Sequence, residues 1–186
     1  MAWTFFSLQM AYASQPDDPW RRQLRNAIVS GQPHQDAEEK RIFYNELVQI
    51  LLAKLPQLDR VAWDLERTSS TQSEFDSWVS DLEDSSDVEP PDPTAGPSEA
   101  RHVVVTLLVL ATTGGNADQA LGEACDLPED RWLARQTIGR LLSAIPTLSF
   151  SSVRSDAVYL QPGRGLPGMT AEELDEGWVD MAEVEN

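Results

Sequence analysis

The sequence contains few of the residues that build metal and thiol chemistry. Its 186 residues include one cysteine and two histidines. A single cysteine, Cys125, excludes an intramolecular disulfide and a thiolate metal cage. Neither His34 nor His102 has a second histidine or a cysteine at ligand spacing. We therefore expect no metal ion and no cofactor, and we interpret Cys125 as a buried structural residue.

Long hydrophobic runs are also missing. No stretch approaches the roughly 20 apolar residues of a membrane-spanning helix, so the sequence predicts no integral membrane segment. The tripeptide at 11–13 resembles a signal-peptidase site, but no Lys or Arg precedes it and Ser7 interrupts the apolar run. We therefore predict a cytoplasmic protein, with an N-terminal export signal as the weaker alternative.

Basic residues are absent from two stretches of the chain. Residues 68–100 contain nine Asp and Glu, and residues 165–186 contain seven, without any Lys or Arg. The remainder carries 15 acids and 14 bases, so these two stretches hold nearly all of the net charge of −17. Nucleic-acid binding requires clustered Lys and Arg, so we expect no nucleic-acid partner. Localised negative charge instead steers a partner with a basic surface.

Apolar periodicity and turn residues predict an α+β fold in a single domain, residues 1–186. We expect a small sheet of about three strands with helices packed on it. The predicted strands cover residues 3–12, 103–111 and 148–161. The predicted helices cover residues 19–31, 37–55, 58–65, 71–84, 116–125 and 128–144, followed by an acidic C-terminal helix that opens at the Thr170–Glu173 capping pattern.

The composition divides this domain into segments. We assign residues 1–66 to an N-terminal strand and helices, and 68–100 to an acidic helix followed by a flexible linker. Four prolines at 85–98 predict the linker, which is inserted between the two halves. Residues 101–162 hold the central strand, two helices and the last strand. Residues 163–186 form a loop and the acidic C-terminal helix.

The central strand carries a resemblance to a known family. Arg101–Thr113 (RHVVVTLLVLATT) is similar to the V-V-T-L-L-V-A-A strand of the family called domain of unknown function 1517. The resemblance extends over most of the chain and is strongest over residues 101–175, where Ala157–Pro162 and Met169–Leu174 follow the family's order of elements. Where that family has Trp-Thr-Pro, this chain has Leu160-Gln161-Pro162. The family has no assigned catalytic residues, so the resemblance implies a fold and leaves function open.

One short acidic helix is the candidate partner-binding element. In residues 71–84, Phe75, Trp78, Val79 and Leu82 follow one another at i, i+3, i+4 and i+7, so they share one helix face. Buried aromatic anchors ringed by charge are typical of partner grooves. This pattern predicts a non-catalytic protein–protein interaction or regulatory module whose partner has a basic surface. The alternative is that the same face packs on the protein's own body.

Catalytic motifs are lacking. The glycine-rich loop 163–168 is not followed by the Gly-Lys-Ser/Thr of a phosphate loop, and the carboxylates at 172–176 suit a helix N-terminus. We therefore assign no catalytic residue. The competing hypothesis is a small-ligand protein or enzyme with a pocket near Gly114-Gly115, His102 and the 162–168 loop.

Overall fold

Two long central strands organise the molecule. The computed structural model describes residues 2–31, 36–68, 70–84, 101–162 and 168–185. Strand β1 (Trp3–Ser14) pairs antiparallel with β3 (Arg101–Thr112) along its whole length, from Trp3 opposite Thr112 to Ser14 opposite Arg101. Both strands are covered on their two faces, which explains why β3 is apolar at nearly every position.

The remaining strands extend this pair into an antiparallel sheet. They are β2 (Leu58–Glu66), β4 (Val153–Gln161) and β5 (Ala182–Glu183), and the spatial order is β4-β3-β1-β2-β5. The fold is therefore α+β, but the predicted sheet of about three strands is wrong, because the described residues form a single sheet of five.

The described residues contain six α-helices. They are α1 (Pro19–Gly31), α2 (Ala37–Ala53), α3 (Thr71–Asp84), α4 (Asn116–Cys125), α5 (Arg135–Ala144) and α6 (Ala171–Gly177). The cap residues fix several of their starts. Asp36 accepts from the Glu39 N–H at α2, and Thr170 and Glu173 form a reciprocal capping box at α6. None of the described helices has the length and apolar character needed to cross a membrane.

Two predicted helices differ from the structure. Residues 58–65 form β2 instead of a helix, because Val61, Trp63 and Leu65 alternate toward the core while the strand pairs with β1. The predicted helix 128–144 is interrupted: a 3₁₀ turn at Glu129–Arg131 precedes α5, and Ala134 between them forms a β-bridge with Glu185. The predicted linker at 85–98 lies outside the described residues.

The two faces of the sheet carry different helices. The main hydrophobic core joins one face to α1, α2, α4 and α5, which we call the four-helix face. Side chains of β1 that point there are fully buried: Phe6, Leu8, Met10 and Tyr12. Helices α3 and α6 cover the opposite side, the two-helix face, through two separate apolar clusters.

The chain contains one structural unit twice. Strand, two helices, strand and helix occur in that order as β1-α1-α2-β2-α3 and again as β3-α4-α5-β4-α6. A local sequence match supports the repeat, since Leu-Leu-x-x-Leu-Pro-x-Leu at 51–58 corresponds to Leu-Leu-x-x-Ile-Pro-x-Leu at 141–148. Because the first strands of the two units pair antiparallel at the centre, an approximate two-fold axis passes through the sheet between them.

A groove between two acidic helices

The two-helix face is apolar at both ends and polar in the middle. Under α3, Phe5 of β1 and Leu108 and Leu110 of β3 form one apolar cluster. Under α6, Ala11 and Val104 belong to the other. Between the clusters, β1 and β3 present three buried polar side chains: Ser7, Gln9 and Thr106. The centre of this face therefore turns polar groups toward the space between the helices.

A groove opens above this polar centre. It encloses a cavity of about 420 Å³ between α3 and the segment that follows α6. The lining residues come from β1, β4, α3 and the end of α6 with the residues that follow it: Gln9, Trp78, Asp81, Leu82, Gln161, Gly177, Trp178, Val179 and Asp180. We call this the α3/α6 groove. Its volume falls within the roughly 300–1,000 Å³ range of ligand pockets.

The floor of the groove contains a buried amide. Gln9 is 8% exposed, and the described residues include no hydrogen-bond partner for its side chain. Thr106 lies directly opposite Gln9 in the β1–β3 register, and its fully buried Oγ1 has no partner either. The unsatisfied Thr106 hydroxyl costs on the order of 1–3 kcal/mol. The Gln9 amide faces the cavity without an intramolecular partner among the described residues, so a bound group can hydrogen-bond to it.

Two tryptophans stand in the groove walls. Trp78 of α3 is half-buried and meets the ring of Phe5 edge-on, with 6.2 Å between centroids and an interplanar angle of 70°. Trp178 follows α6, is half-buried, and packs beside the cluster that includes Leu174. These contacts hold both indoles in place, while part of each ring lines the cavity. The neighbouring Val179 is 76% exposed.

Carboxylates dominate the charge at the groove. Asp81 and Asp180 line it and are solvent-exposed. Helix α3 and residues 168–185 carry no Lys or Arg. Arg60 of β2 forms an ion pair with Asp175 of α6, and neither residue lines the groove. The groove therefore has an amide at its floor, indole rings in its walls and carboxylates at its opening.

The structure places the predicted helix residues on one face, as their spacing indicates, and packs that face on the sheet. Phe75 is buried with its ring edge-on to Phe5 at 5.7 Å, and Leu82 is also buried. Trp78 and Val79 remain half-buried. Phe75 is thus inaccessible to a partner while α3 is docked, and only Trp78 and Leu82 of the four line the groove.

Sequence reasoning missed the residues that complete the groove, namely Gln9, Gln161 and Trp178–Asp180. One pattern in the sequence points to the floor: Ser7 and Gln9 alternate with apolar residues in an otherwise hydrophobic strand. Such alternation indicates a strand face that differs from its opposite face. Nothing local associates that face with Trp178, which is brought to it by the fold.

Within the described residues, the parts of the alternative pocket predicted from the sequence lie at opposite ends of β3. His102 lies at the start of β3, bridges to Met169 and approaches Asp59 Oδ2 through Nε2 at 3.1 Å. Gly114 follows the other end of this 12-residue strand, on the order of 35 Å away for an extended chain. Residues 163–167 of the loop lie outside the described part of the chain.

A second cavity of about 330 Å³ lies beside the outer edge of β4. Lys40 forms an ion pair with Asp156 there, and the Tyr44 hydroxyl donates to the same carboxylate at 2.9 Å. Burial first, and then the charge of Asp156 and its hydrogen bond, raise the pKa of Tyr44 well above its usual value. Tyr44 therefore stays neutral, and the three residues fasten α2 to β4.

The described residues contain neither a candidate metal site nor a reactive thiol. No group of three or more His, Cys, Asp and Glu is arranged to hold a metal ion within these ranges. Burial raises the pKa of the Cys125 thiol to about 12, so the thiol stays protonated at neutral pH and is a poor nucleophile.

Comparison with known proteins gives no relative. No protein-family model matches this chain, and no curated protein or solved structure matches it. The resemblance to domain of unknown function 1517 stays a prediction.

Proposed function

We propose that this protein is a non-catalytic interaction module that binds a basic protein segment in the α3/α6 groove. The observation that carries the proposal is the combination of exposed carboxylates at the mouth, Asp81 and Asp180, with indole walls between them. Aromatic side chains with charge around them are the usual anchors of protein recognition. The charge of the two helices favours a partner of opposite sign.

The lining residues support binding over catalysis. No His, Cys, Lys, Ser or Thr is among the residues that line the groove in the described chain. Acid–base catalysis by two carboxylates requires one of them to be buried in an apolar pocket, whereas Asp81 and Asp180 are both exposed. We place this module in the cytoplasm, where a free thiol such as Cys125 persists.

A charge-reversal experiment tests the proposal. The probe is a fluorescent peptide rich in Lys and Arg, titrated with the full chain and followed by anisotropy. We expect the double variant D81K/D180K to weaken binding at least about tenfold, which corresponds to roughly 1.4 kcal/mol.

The matched control is Asp76→Lys. Asp76 is an exposed acid on the same helix, but it does not line the groove. We expect D76K to weaken binding much less than the single variant D81K, which is measured beside it. Equal effects of D76K and D81K, or no binding of the basic peptide at all, would show that the groove is not the binding site. A Glu-rich peptide should not bind.

A further inference from the structure

We infer that the group received at the floor of the α3/α6 groove is an arginine side chain of the partner. This inference rests on the proposed function and specifies its ligand. The inference depends on the polar floor of the groove. A surface that binds basic segments through charge alone does not require such a floor. The carrying observation is that Gln9, more than nine-tenths buried, lines the cavity and has no intramolecular partner within the described chain.

The floor can accept a donor from a bound group. The Gln9 amide offers an acceptor oxygen and an NH₂ donor group. Thr106, the nearest polar neighbour across the β1–β3 pair, forms no hydrogen bond, so it does not satisfy Gln9. A planar guanidinium presents five N–H donors in a fixed fork and can reach an amide oxygen and a carboxylate together. An ammonium group is a compact point charge that holds its water more strongly.

The walls select for the same group. A cation over an indole face gains on the order of 0.5–2 kcal/mol, and arginine is the more frequent partner because its plane also stacks on the ring. Trp78 and Trp178 supply the indoles on opposite sides of the cavity. The carboxylates of Asp81 and Asp180 at the mouth attract the cationic side chain, and the Gln9 amide at the floor hydrogen-bonds to it.

The test compares three peptides on the full chain. The peptides are identical except for one central residue: arginine, lysine, or citrulline, the neutral isostere of arginine. Binding is measured by calorimetric titration. We expect the arginine peptide to bind about tenfold more tightly than the lysine peptide, and the citrulline peptide to bind most weakly. Equal affinity for arginine and lysine would overturn the inference.

A floor variant supplies the second measurement. Gln9→Leu removes the amide at similar size, and we expect it to erase the preference for arginine over lysine while binding of the lysine peptide is retained. The matched control is Thr106→Val, which alters the neighbouring buried hydroxyl without touching the cavity lining and should leave the preference intact. A preference that survives in the Gln9→Leu variant would contradict a role for Gln9.

These outcomes separate the two proposals. If arginine and lysine peptides bind equally and D81K/D180K abolishes both, the groove binds basic segments but does not select arginine. If neither peptide binds, both proposals fail. The peptide series does not depend on the stability of any variant, so the arginine inference is tested even if a floor variant fails to fold.

Discussion

At the residue scale, Asp118 joins three separate parts of the chain. Its carboxylate accepts from Thr4 Oγ1 at 2.9 Å, from Arg67 Nε at 2.7 Å and from the Gly114 N–H at 2.7 Å. These partners come from β1, from the end of β2 and from the turn after β3. Burial acts to raise the pKa of Asp118, but the Gly114 N–H, Arg67 and Thr4 favour the charged form and lower it overall.

We predict that Asp118→Asn lowers the free energy of unfolding by about 2 kcal/mol at pH 7, since hydrogen bonds to a charged group are worth about 1.5–3 kcal/mol. A carboxyl whose pKa is lowered by folding stabilises the protein above its unfolded pKa of about 4 and loses this contribution as the pH falls below it. The loss caused by D118N should therefore shrink between pH 7 and pH 3.5 in urea denaturation.

Asp126→Asn provides the control for this prediction. Asp126 is an exposed acid just beyond α4, and no hydrogen bond or ion pair involves its side chain within the described residues. We expect D126N to change stability by less than about 0.5 kcal/mol. A D118N penalty that does not vary with pH would show that the charge of Asp118 is not what stabilises the turn.

At the element scale, the start of α3 places one of its carboxyls beside a carboxyl of the sheet. Glu66 at the end of β2 and Glu74 in the first turn of α3 lie against each other, and a hydrogen bond between two carboxyls requires a proton. That hydrogen bond, then burial, then the charges of Glu74 and Asp64 raise the pKa of Glu66 to about 7. The start of α3 therefore contacts the sheet through a carboxyl that is protonated below neutral pH.

We predict that α3 is held more tightly at pH 5 than at pH 8. A group whose pKa is raised by folding contributes its full stability below the unfolded value of about 4.3, and this contribution is lost as the pH rises through the folded value near 7. Amide protection factors for α3 should fall over this range. Glu66→Gln keeps a neutral hydrogen-bonding group and should remove the pH dependence.

Glu46→Gln, at an exposed position of α2, serves as the comparison variant. It should preserve the decline in protection of α3. If the protection factors of α3 in the unaltered protein stay constant from pH 5 to pH 8, the shared proton does not contribute to docking.

The sequence predicts elements well where local chemistry decides them. The Asp36 cap and the Thr170–Glu173 capping box mark real helix starts, and the spacing of Phe75 and Leu82 identifies the buried face of α3. It fails at β2, because apolar residues at 58, 61, 62 and 65 fit a helical period. This segment becomes a strand because it pairs with β1, and that pairing depends on the tertiary structure, not on the local sequence.

The candidate site was predictable only in part for the same reason. The helical spacing of apolar residues within α3 identifies Trp78 from the sequence. Gln9 and Trp178 are 169 positions apart, and no local pattern connects them. They meet because α3 and α6 cover opposite ends of one sheet face and leave its centre open.

At the scale of the whole molecule, the repeated unit explains where the groove lies. Helices α3 and α6 occupy equivalent places in the two units, so the approximate two-fold axis sets them at opposite ends of the same face. The pair Gln9 and Thr106 lies beside this axis, in the space between them. Each unit contributes one indole and one carboxylate to the groove, from Trp78 and Asp81 in one and from Trp178 and Asp180 in the other.

The same arrangement makes the two units energetically inseparable. The main core contains residues of both, such as Phe6 and Leu47 from the first and Leu107 and Leu142 from the second. Neither unit can bury its central strand without the other, because β1 and β3 are each other's neighbours along all 12 residues. We therefore expect the repeat to unfold as one cooperative body and not as two domains.

Matched substitutions on either side of the axis test this expectation. Leu8 of β1 and Leu107 of β3 lie directly opposite each other and are both fully buried. L8A and L107A should each cost about 2–5 kcal/mol, the range for large-to-small core changes, and both should lower the midpoint of one and the same calorimetric transition. In the unaltered protein the calorimetric and van't Hoff enthalpies should agree. Two resolved transitions, with L8A shifting one and L107A the other, would instead show two independently folding halves, and the groove would then lie between bodies able to move apart.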